Sequence, residues 1–125
     1  MGFRAGEPGD DARLWRERVV NARSCRDDIL ALWGMHRKAE LPDVPREAKG
    51  ELWVLDEVIG GCVLFYLDTG GTLDLSRVSV LEDCRTDLAR LMPALEDPAA
   101  AYFSRLGRLA GLLLGVTKKA GEEGP

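Results

Sequence analysis

Residues 51–68 read Glu-Leu-Trp-Val-Leu-Asp-Glu-Val-Ile-Gly-Gly-Cys-Val-Leu-Phe-Tyr-Leu-Asp, and the fold class turns on whether they form a hairpin or a helix. Val54, Val58, Ile59, Val63, Phe65 and Tyr66 have side chains that suit strands, and Gly60-Gly61 sits where a tight turn would fall. Strand alternation along the stretch is poor. Wound as a helix, Leu52, Leu55, Ile59, Cys62 and Tyr66 make one apolar stripe, while Asp56, Glu57, Gly60, Gly61, Leu64 and Asp68 make a polar or small one. The helical reading predicts an all-α chain, a single-domain bundle of about four helices. The alternative is an α+β fold with a hairpin at 52–67.

The flanks supply the other helices. Residues 1–10 carry Gly6, Pro8 and Gly9 without periodicity and are expected to be a flexible N-terminal tail. Asp10 or Asp11 can cap a first helix running to about Arg37, on which Trp15, Val19, Ala22, Ile29 and Trp33 recur at helical intervals. Pro42 and Pro45 end it. After the deciding stretch, Gly70 and Gly71 can supply the left-handed backbone of a helix stop, and Asp74 or Ser76 can cap the next helix. Leu81, Cys84, Leu88, Leu91 and Leu95 then keep a spacing of three and four, with Pro93 expected to shorten the last turn. Asp97-Pro98 reads as a helix start, followed by the stripe Tyr102, Phe103, Leu106, Leu109, Ala110 and Leu113. Gly115 is the expected stop, which gives a bundle domain at 11–116 and a flexible C-terminal tail at 117–125. Gly107, Gly111 and Gly115 repeat every fourth residue and predict close helix packing.

The totals suit one folded domain. The chain has 125 residues, 46% hydrophobic and 30% charged, enough to bury a core and far from the composition of a disordered chain. No apolar run approaches the roughly 20 residues of a membrane span. With no secretory signal in residues 1–10, the expected location is cytoplasmic, with no membrane partner. Cys25, Cys62 and Cys84 are widely spaced and fall on or beside apolar stripes, so they are expected to pack as small hydrophobes. Net charge is −4, and its distribution is uneven: residues 51–125 hold seven basic and twelve acidic side chains.

Few residues combine into chemistry. Asp68-Thr69-Gly70, following the apolar run Val63–Leu67, resembles the Asp-Thr-Gly of retroviral-type aspartic proteases over about eight residues. Those enzymes are nearly all β with a glycine-rich flap after the motif, whereas here a helical seam follows, so the motif reads as a helix stop and turn. His36 is the lone histidine, which removes multi-histidine metal sites and leaves only a His36–Glu40 pair, too few ligands for a metal. No metal or cofactor is expected.

The function that remains is a non-catalytic protein–protein interaction or structural subunit, self-association included. Its expected contact is an acidic helical face, Glu82, Asp83 and Asp87, with Trp53 as an aromatic anchor. The alternative is a nucleic-acid-associated helical subunit using Arg13, Arg16, Arg23 and Arg26 of the first helix, diluted there by Asp10, Asp11, Glu17, Asp27 and Asp28. A third reading, an enzyme, would need Asp56, Glu57 and Asp68 to converge in space.

Overall fold

The computed structural model describes residues 25–123, and within it the deciding stretch is one continuous helix. Four helices follow one another: α1 over 25–38, α2 (Lys49–Thr69), α3 (Leu75–Leu91) and α4 (Ala99–Glu123). Short 3-10 turns at Arg46–Ala48 and Met92–Ala94 lie before α2 and after α3. There is no strand among the described residues, so the chain is an all-α bundle and the hairpin alternative falls. The expected tail at 1–10, the cap at Asp10 or Asp11, and Arg13, Arg16 and Arg23 lie outside the described residues. No helix among the described residues is long and apolar enough to cross a membrane.

The helix ends follow from local chemistry. Gly70 and Gly71 take φ of 86° and 119°, left-handed backbone that costs a glycine little, and α2 stops there. Asp74 has extended backbone, and its Oδ1 accepts the Arg77 N–H at 2.8 Å, capping α3 as expected. Pro93 sits in the 3-10 turn that replaces the last α-turn of the seam, leaving Leu95 buried beyond the helix. Asp97 Oδ1 accepts the Ala101 N–H at 3.1 Å at the start of α4. The expected stop at Gly115 is corrected: α4 runs through it to Glu123, across much of the 117–125 segment. A helical glycine costs only about 1 kcal/mol, and Val116, packed against the core just beyond, favours continuing.

Side-chain contacts give the topology. Arg26 lies over the Tyr66 ring, Trp33 against Gly60 and His36 against Asp56, so α1 runs antiparallel to α2. Arg77 stacks on Phe65 and Arg90 pairs with Glu51, so α3 is antiparallel to α2 on its other flank. Leu88 reaches Gly107 and Arg85 reaches Gly111, which sets α4 antiparallel to α3. The result is an up-and-down bundle in which α2 contacts α1, α3 and α4. The glycines of α4 divide accordingly. A Cβ at Gly107 would stand 3.2 Å from Leu88 and one at Gly111 would touch the Arg85 guanidinium at 3.8 Å, whereas Gly115 has nothing near it.

Burial confirms the stripe assigned to α2. Leu52, Leu55, Ile59, Cys62 and Tyr66 are all buried, joined by Val63. They pack with Leu81, Cys84 and Leu88 of α3 and with Phe103, Leu106, Ala110 and Leu113 of α4 as one core. Gly60, assigned to the small stripe, is buried as well, because the Trp33 ring lies on it: a Cβ there would stand 3.1 Å from Trp33 Cη2.

Candidate functional site

At the junction of α1, α2 and α4 three polar side chains meet inside an apolar bundle. His36, only 5% exposed, comes from the C-terminal end of α1, Asp56 from the second turn of α2 and Tyr102 from the first turn of α4. His36 Nε2 lies 2.7 Å from Asp56 Oδ1, and the Tyr102 hydroxyl donates to Asp56 Oδ2 at 2.9 Å. Both carboxylate oxygens are thereby engaged, by two rings that also touch each other. The arrangement assigns the imidazole proton to Nε2, which donates to Asp56 and leaves Nδ1 a bare lone pair. Nδ1 is buried without a partner, and a stranded acceptor is less costly there than a stranded N–H. The His36 ring is held between Trp33, stacked at a centroid distance of 5.9 Å, and Tyr102, tilted at 4.3 Å. Burial and the adjacent Asp56 together hold the Tyr102 hydroxyl well above its ordinary pKa.

This lock borders an open groove of about 490 Å³, and His36, Asp56 and Tyr102 form part of its wall. Trp33, Leu41, Gly61 and Leu64 give it an apolar lining, and Arg37 and Glu57 stand on its rim. Leu41 is 73% and Leu64 46% exposed, although both are large aliphatic side chains.

The residues singled out by sequence do not form one site. Trp53 is half-buried, its ring 5.8 Å from Tyr102 and 5.5 Å from Phe103, so it packs the second face of a central helix. Asp83 and Glu82 are exposed on α3, while Asp87 is half-buried with Arg90 Nη2 3.6 Å away. Arg90 in turn pairs with Glu51, so the like charges at Asp83 and Asp87 are moderated within the chain. Arg26 is half-buried, with its guanidinium 5.8 Å from the Tyr66 ring centroid. Asp56, Glu57 and Asp68 do not converge on a common point: Asp56 faces His36 and Tyr102, whereas Asp68 is exposed at the far end of α2. Glu40 is exposed past the end of α1, apart from the His36 lock, and no cluster of three metal-ligating side chains occurs among the described residues. Burial pushes the thiols of Cys62 and Cys84 up, the reverse of what a nucleophile needs.

Sequence reasoning missed the lock itself. Spacing pairs His36 with Glu40 and groups Asp56 with Glu57 and Asp68, while the contacts that form span 20 and 46 residues. The available signal is His36 beside the apolar stripe of the first helix, where an ionisable group needs a partner. Comparison with protein-family models, curated proteins and solved structures returned no match.

Proposed function

We propose that this chain is a non-catalytic interaction module whose contact surface is the solvent-facing side of α2. One observation carries the reading. From Val58 to Leu67 α2 holds ten residues without a charge, a helix apolar around its whole circumference, and such helices are normally covered on every side. Here α1, α3 and α4 leave one side open, with Val54 59% and Leu64 46% exposed on it. The state of the polar groups supports a binding role over a catalytic one. Although His36, Asp56 and Tyr102 border the groove, both Asp56 oxygens are engaged by the other two and His36 Nδ1 is buried, so the hydrogen-bonding capacity of the three is directed largely at one another.

The acidic face of α3 is the lesser surface, because Asp87 and Arg90 already interact within the chain. The experiment is a competition between variants. Leu64→Glu on the open side of α2 should abolish complex formation, with helicity and melting temperature retained. Asp83→Lys should leave complex formation nearly intact. A reversal of that order moves the contact surface to α3, and a turnover lost on His36→Ala would replace the module reading with an enzymatic one.

A further inference from the structure

Six residues of α2 face solvent in strict alternation: Gly50, Val54, Glu57, Gly61, Leu64 and Asp68, at intervals of four, three, four, three and four. That is the spacing of a helix–helix seam, and among the described residues no helix packs on it. Cβ atoms built at Gly50 and Gly61 meet nothing within 4 Å, so both positions are open to a close-approaching neighbour.

The seam matches its own reverse. Laid antiparallel on a second α2, Val54 falls opposite Leu64 of the other copy, Glu57 opposite Gly61, and Gly50 opposite Asp68. Apolar meets apolar, and the long Glu57 side chain passes over a residue that has none. Each Asp68 carboxylate arrives at the N-terminal end of the other helix, beside Lys49, where both the helix dipole and the ammonium favour an anion. Neither Lys49 nor Asp68 has an ion-pair partner among the described residues. A parallel arrangement would instead set Glu57 against Glu57 and Asp68 against Asp68.

We infer that α2 is a self-association surface on which a second copy of this chain packs antiparallel, through a two-fold contact centred between Glu57 and Gly61. This deepens the interaction-module reading and rests on it. The seam is about 27 Å long, and one helix face alone falls short of the roughly 800 Å² per partner of a stable complex. The dimer is therefore a weak, reversible one.

Sedimentation equilibrium over a wide concentration range tests it, together with register-specific cross-linking. The mass should rise from one chain to two with concentration. A Val54→Cys/Leu64→Cys variant should form inter-chain disulfides joining position 54 of one copy to 64 of the other. Gly61→Glu, whose Cβ would meet nothing within 4 Å, should stay monomeric with unchanged circular dichroism. Lys49→Glu and Asp68→Lys should each weaken association about two- to fivefold, the range of an exposed ion pair, and the double variant should restore it. A chain that stays monomeric at millimolar concentration, or a dimer indifferent to Gly61→Glu, overturns the inference. A monomeric chain that still binds another protein in a Leu64-dependent way would leave the interaction-module reading standing alone. A cross-link joining 54 to 54 would show the parallel register and refute the antiparallel one.

Discussion

Helices α2 and α3 lie side by side, yet they record their surroundings in opposite ways. On α3 the buried residues Leu81, Cys84 and Leu88 form a narrow stripe, and from Glu82 to Arg90 five charged residues lie off it. Its sequence states both that it is a helix and which side is wet. On α2 the buried residues spread around most of the helix, and the uncovered side carries Val54 and Leu64 beside Glu57 and Asp68. Periodicity is a contrast between two faces, so a central helix shows little of it. The lesson is that weak amphipathicity in α2 reflects its central position in the bundle.

Core truncation gives the largest expected effect and tests the two sides of α2 against each other. Ile59→Ala should cost about 2–5 kcal/mol, as should Leu88→Ala on α3, because both side chains are fully or nearly fully buried. Val54→Ala, on the open side, should change the stability of the monomer by less than about 0.5 kcal/mol in denaturant. Equal losses at Ile59 and Val54 would mean that α2 is covered all round.

The lock should come next. Asp56→Ala strands the His36 Nε2 proton and the Tyr102 hydroxyl together, at a cost of about 2–4 kcal/mol. Tyr102→Phe removes one hydrogen bond and should cost less. Its second signature is in the pH dependence. The folded-state pKa of Tyr102 is raised above the unfolded value of about 10, so the stabilisation is fully present below that pH and declines as pH rises above it. Denaturation profiles should show the parent losing its advantage over Tyr102→Phe from about pH 10 upward; a constant advantage to pH 12 would contradict the assignment.

How much of this was legible follows from which interactions are local. The helical stripe of α2, the Asp74 cap, the Gly70 stop and the α3 seam depend on residues a few positions apart, and the sequence displays them. The His36–Asp56–Tyr102 lock joins three helices, and no spacing rule connects positions 36, 56 and 102. The moderation of the acidic face at Glu82, Asp83 and Asp87 by Arg90 is legible too, since Asp87 and Arg90 are three apart on one helix, whereas the Arg90–Glu51 pair between helices is not. Gly115 was read as a stop because glycine disfavours a helix, yet packing on the far side outweighed it.

Two adjacent glycines give the smallest and sharpest contrast. Gly61→Ala gains helix propensity with nothing in its way and should stabilise the monomer by up to about 1 kcal/mol. Gly60→Ala must displace the Trp33 ring by a few tenths of an ångström, so its gain should be smaller or reversed. Thermal melts of the two variants in parallel would decide, and a larger gain at Gly60 would mean that Trp33 does not rest there.

The most direct measurement is the enhancement of amide relaxation by a soluble paramagnetic agent, read residue by residue along α2 in dilute and concentrated samples. In dilute solution exposure should peak at Val54, Glu57, Gly61 and Leu64 and fall at Leu55, Ile59 and Cys62. On concentration those peaks should flatten while the surface of α3 around Asp83 stays unchanged. Alternation at every second residue, or peaks that persist undiminished in the concentrated sample, would contradict a central helix whose open side is a contact surface.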